Sequence, residues 1–98
     1  MSDDLWAHVW ASRSDMQLYV ARDEGEAARY GRQVRAARLS NKDYKLRFQK
    51  LESVSIMREP PSSNRIFPGY VVVRNLGSRN EYETWMPAHV FDSLYASI

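Results

Sequence analysis

The sequence predicts an α+β fold: a small antiparallel sheet of about five strands, one longer arginine-rich helix and a short C-terminal helix, in the order β-β-α-β-β-β-α. Three observations carry this. Gly69-Tyr70-Val71-Val72-Val73-Arg74 is the most apolar β-branched run in the chain and reads as a central strand covered on both faces. Leu76-Gly77-Ser78-Arg79-Asn80 is a turn signal that folds this run back onto Glu81-Tyr82-Glu83-Thr84-Trp85 as a hairpin. Upstream, Asp23 suits a helix cap, with Glu24 and Glu26 in the first turn, where carboxylates favour the positive end of the helix dipole.

The remaining elements follow in chain order. Residues 5 to 12 alternate Leu5, Ala7 and Val9 with Trp6, His8 and Trp10, which reads as a strand. The same residues, with Ser2 as cap, also fit a helix; the strand is preferred because Arg13-Ser14-Asp15 makes a turn before the β-prone Leu18-Tyr19-Val20. On a helical wheel Ala27, Tyr30, Val34 and Ala37 share one stripe while Arg29, Arg32, Arg35 and Arg38 fan across the other side, so the helix is read from 24 to 38. Tyr44, Leu46 and Phe48 then alternate with Lys45, Arg47 and Gln49 as a half-wet strand; Leu51 breaks the parity and Val54 and Ile56 restore it, which a bulge or a split near Lys50 explains. Residues 58 to 69 form a long exposed loop, and Pro87 opens a short helix carrying Val90, Phe91, Leu94 and Tyr95.

At 98 residues and 44% hydrophobic composition the chain fits one domain, residues 1–98. No apolar stretch approaches the roughly 20 residues of a membrane span, and the acidic start lacks the pattern of a secretory signal. The absence of cysteine excludes disulfides and thiolate metal sites. The expected location is therefore the cytoplasm, without membrane partners. His8 and His89 have no neighbours at metal-ligand spacing, no carboxylate pair stands out as acid and base, and the glycines form no phosphate loop. The chain is thus read as a non-enzyme without metal or cofactor.

The net charge of +2 hides a basic middle: Arg29, Arg32, Arg35, Arg38, Lys42, Lys45, Arg47 and Lys50 face a single acid, Asp43. Arg29, Arg32, Arg35, Arg38, Lys45 and Arg47 are the candidate basic binding face, because guanidinium forks pair with phosphate or carboxylate. A solvated or internally paired face is the alternative. Trp6, Trp10, Arg65 and Phe67 are the aromatic and loop candidates for a partner contact, with core packing as the alternative for the tryptophans.

Pro-Gly-Tyr-Val-Val-Val at 68 to 73, Tyr-Glu-Thr-Trp-Met-Pro at 82 to 87 and His-Val-Phe-Asp-Ser-Leu-Tyr at 89 to 95 resemble a pattern in small accessory proteins of tailed phages and prophages. The resemblance covers the C-terminal third and carries no active site. It implies a protein that binds and inhibits or redirects a macromolecular complex in a bacterial host, a nucleic-acid-guided defence system being one instance. Direct DNA or RNA binding by the arginine helix and a structural role in the virion are the alternatives. The oligomeric state and the partner's identity are not legible.

Overall fold

The computed structural model describes residues 9–98 and has the α+β architecture expected: a five-stranded antiparallel sheet in the order β4-β3-β2-β1-β5, flanked by helices. A 3-10 turn at Arg13–Asp15 precedes β1 (Gln17–Ala21), α1 (Glu24–Tyr30), β2 (Gln33–Arg38), α2 (Asn41–Leu51), β3 (Gly69–Arg74), β4 (Tyr82–Pro87), α3 (Ala88–Leu94) and β5 (Tyr95–Ser97). The order roughly matches the expected one, but different residues fill several of its places.

The arginine helix ends early. Asp23 caps α1 by accepting from the Glu26 N–H, as its position suggests, but Gly31 takes φ 96°, and its N–H closes the helix on the Ala27 carbonyl. Glycine is the residue that reaches this conformation without a Cβ penalty. Beyond it, Val34 and Ala36 alternate with Gln33 and Arg35 in β2, between β1 and β3. Residues 32 to 38 satisfy both periods, and two ready partner strands select the extended one.

The opposite exchange occurs after Ser40. Its hydroxyl caps α2 by accepting from the Asp43 N–H, and the expected half-wet strand is a helix that buries Asn41, Tyr44 and Arg47 and leaves Leu46 exposed. The broken parity at Leu51 is therefore helical spacing and not a bulge. Val54 and Ile56 lie outside any strand, both exposed. Val9 and Trp10 are helical, and β1 pairs with β2 and β5, so the hairpin expected to begin at residue 5 is not formed by the described residues; Leu5 to His8 lie outside them. The hairpin of β3 and β4 is as expected, with Val71 opposite Trp85 and Val73 opposite Glu83.

The sheet separates two cores. On one face Val71, Val73 and Trp85 pack with Val9, Met16, Leu39 and Tyr44. On the other, Tyr70 and Val72 pack with Val34, Ala36, Phe91 and Tyr95, the Tyr70 and Phe91 rings stacking at 4.0 Å between centroids. At its start β3 is held close to its neighbours: the Trp85 indole lies over Gly69 and donates to the Leu39 carbonyl at 2.7 Å.

Charge fills the end of the first face. Glu83 and Arg47 are only 1% and 2% exposed and pair in bidentate fashion, Nε to Oε1 and Nη2 to Oε2, each at 2.8 Å. Arg13 adds a bond to Glu83 at 2.9 Å and reaches Glu81 at 3.0 Å. Arg47 also donates to the Val9 and Ala11 carbonyls, tying the segment before β1 to α2. Across the sheet a second group joins Arg74 to Glu26 at 2.9 Å, with the Tyr95 hydroxyl donating to Glu26 at 2.5 Å and the Arg74 guanidinium over the Tyr30 ring.

Burial alone would push the Glu83 carboxyl up, but Arg47 and Arg13 outweigh it and hold it below the ordinary range; the Gly77 N–H and Arg13 do the same for Glu81. A carboxyl depressed in the folded state contributes stability above its unfolded pKa and loses it as pH falls through the folded value. Melting temperature is therefore expected to hold from neutrality to about pH 5 and to fall below about pH 4, measured by thermal denaturation across pH. A Glu83→Gln chain starts lower and loses less over the same acid range.

Candidate functional site

The basic face expected on one helix and on the wet face of the strand after it is dispersed over α1, β2 and α2, with Arg32 between the first two. Arg29 is exposed on α1, Arg32 follows it and bonds Glu24 at 2.6 Å, and Arg35 and Arg38 stand on opposite faces of β2. Arg35 donates to the Met16 carbonyl at 2.7 Å, while Arg38 lies over the Tyr70 ring. Lys45 is exposed on α2, whereas Arg47, expected on a wet strand face, is the buried partner of Glu83. A helical phosphate-binding stripe is thus not formed, because these arginines belong to different elements and Arg47 closes the core.

Of the aromatic and loop candidates, Trp6 lies outside the described residues. Trp10 is half exposed, beside the carbonyls that Arg47 binds; Arg65 is exposed, and Phe67 is 43% exposed. Phe67 is the one the fold uses to build a concave surface. With Pro68, Trp85, Pro87 and Ala88 it lines an open, mainly apolar groove of about 710 Å³, rimmed by Asn41, Ser62, Ser63, His89 and Asp92.

The loop that walls this groove is fastened by Asn41. Its Nδ2 donates to the Arg65 carbonyl at 2.9 Å and its Oδ1 accepts from the Phe67 N–H at 2.7 Å. Lys42 donates to the Ser63 carbonyl at 2.7 Å. Substituting Asn41→Ala removes both bonds and leaves the part-buried Phe67 N–H and Arg65 carbonyl without this partner; a loss of about 1–2 kcal/mol is expected, with faster amide exchange at Phe67. Denaturant titration with residue-resolved exchange checks both.

The groove floor is the outer edge of β4, and that edge is open at one place. Ala88 donates to Pro68, so Met86 and Thr84 face β3 while Glu83 and Trp85 turn their main-chain groups outward. At Glu83 those groups are taken: its N–H bonds the Ile56 carbonyl at 3.0 Å and its carbonyl accepts from Arg58 at 2.8 Å, a short parallel pairing. The next rung requires an N–H at residue 60 and the Arg58 carbonyl. Residue 60 is proline, which has no N–H, and the Arg58 carbonyl accepts from the Tyr44 hydroxyl at 2.8 Å. The pairing stops there, and the Trp85 N–H and carbonyl have no hydrogen-bond partner among the described residues.

The site offers a main-chain donor and acceptor beside apolar walls. Among the described residues no group of three or more His, Asp or Glu could hold a metal ion, and no helix is long and apolar enough to cross a membrane. Sequence reading found Phe67 and the long loop but missed Asn41 and the open rung at Trp85. Only the position of Pro60 signalled the latter, and its meaning depends on pairing that the sequence does not state. No family model, curated protein or solved structure matches the chain.

Proposed function

We propose that this chain is a non-enzymatic, stoichiometric binding protein that engages a protein partner, or the protein part of a larger complex, through the groove and open edge at Trp85. The observation that carries this reading is the contrast between interior and surface. Arg13, Arg47, Arg74, Glu26 and Glu83 are committed to one another, while unpaired main-chain groups and apolar area meet at one edge of the sheet. Exposed sheet edges bind extended segments of partners, with main-chain bonds supplying affinity and side-chain pockets specificity.

The phage-type resemblance of the C-terminal third supplies the proposed setting: binding that inhibits or redirects a host macromolecular complex in the bacterial cytoplasm, a nucleic-acid-guided defence system among them. Direct nucleic-acid binding by Arg29, Arg32, Arg35 and Arg38 has less support, since these side chains do not share a surface. Affinity capture from bacterial host lysate, with and without nuclease, separates the two. A protein recovered equally in both supports this reading; loss of every partner after nuclease, or no partner at all, overturns it.

A further inference from the structure

We infer that the groove at the β4 edge takes an extended, apolar segment of the partner with an acidic flank, which completes the rung that Pro60 leaves open. This deepens the proposed function and rests on it. Two features identify the occupant. The first is continuity: Ile56–Arg58 already pairs along β4, and the site begins one rung further, at Trp85, whose outward N–H and carbonyl have no partner among the described residues and which lines the groove with Phe67 and Pro61. A strand entering there continues an existing ladder and forms the two main-chain bonds that residues 58 to 60 leave unmade, one of them for want of a proline N–H. Its alternate side chains fall towards the apolar walls, since strand side chains alternate in direction.

The second feature is charge. At the α2 end of the groove, the Lys42 ammonium is bound to the Ser63 carbonyl on the groove wall, while Asp92 of α3 lies on the rim. A carboxylate at the α2 end of the visiting segment meets the Lys42 ammonium, whereas a basic residue at that end is repelled; at the α3 end Asp92 repels an acid. Such rim charges select the partner and its register more than they add affinity. The occupant is thus an acidic-flanked strand and not a helix, because a helix has no free main-chain groups to offer Trp85.

The test uses the full chain and displayed random peptides. Panning is expected to enrich segments with alternating apolar residues next to an acid. In the labelled chain the best such peptide is expected to slow exchange of the Trp85 amide by at least about tenfold. Methylating the one peptide nitrogen that faces Trp85 weakens binding by about tenfold, the loss of roughly one hydrogen bond. Phe67→Glu, at an exposed position, abolishes binding while circular dichroism stays unchanged. No enriched peptide, or binding that leaves Trp85 exchange unchanged, overturns the inference. If lysate capture recovers a nuclease-resistant partner that Phe67→Glu does not release, the inference fails while the protein-binding reading stands; if capture recovers nothing, that reading itself falls.

Discussion

Replacing Glu83 by alanine is expected to lower the unfolding free energy by about 3–5 kcal/mol, because it leaves a buried guanidinium without its counter-charge. The Arg47 fork is 2% exposed, and both of its bonds to Glu83 would vanish, as would the Arg13 bond. For a domain of this size each kcal/mol shifts the melting temperature by about 4–8 °C, and the whole stability is about 5–15 kcal/mol, so the single variant loses a large share of it. A double change, Arg47→Met with Glu83→Leu, removes both charges and is expected to recover most of the loss. Recovery is incomplete because the Val9 and Ala11 carbonyls lose the Arg47 donor. Chemical denaturation of the single and double variants measures this directly.

The second large effect is at Gly69. Its main chain runs under the Trp85 indole, and an added Cβ would collide with the ring carbons and with the Met86 carbonyl oxygen. The indole is held by its bond to Leu39, and the carbonyl belongs to the β3–β4 ladder, so neither can withdraw cheaply. Gly69→Ala is expected to cost about 3 kcal/mol, the upper end of overpacking, with a melting temperature lower by roughly 12–24 °C. A moved indole N–H resonance of Trp85 would accompany it. An unchanged melting temperature would mean that the Trp85 ring does not cover this position.

How much of this was legible in the sequence depends on how many local signals agreed. Residues 69 to 74 carry β-branched side chains that bury on both faces, and the turn at 76 to 80 separates them from their partner, so the central hairpin was readable. Residues 32 to 38 and 44 to 50 carried both periods at once. Val34 and Ala37 fit a helical stripe, yet Val34 and Ala36 fit a strand, and the decision fell to Gly31 and to neighbouring strands far away in the chain. Likewise Tyr44, Leu46 and Phe48 alternate, but the Ser40 cap and the inward spacing of Asn41, Tyr44 and Arg47 make a helix. Once these two segments exchange identities, the arginine face dissolves. Arg47 turns inward because the carboxylate of Glu83, on a strand 36 positions away, awaits it there. Pairing over such a separation leaves no periodic trace in either segment.

The exchange also moves the proposed binding surface. A uniform arginine stripe would draw affinity from phosphates and weaken steeply with salt. An apolar groove with an open rung instead depends on main-chain pairing and fit, with charge acting at the rim. The difference is measurable on one partner.

That measurement is affinity capture from host lysate with three forms of the chain, quantified by mass spectrometry in the presence of nuclease: unaltered, Arg29→Ala/Arg32→Ala/Lys45→Ala, and Phe67→Glu. The account predicts that the triple-alanine form recovers the same protein partner as the unaltered chain and that Phe67→Glu loses it. Retention of the partner by Phe67→Glu together with its loss from the triple-alanine form would contradict it.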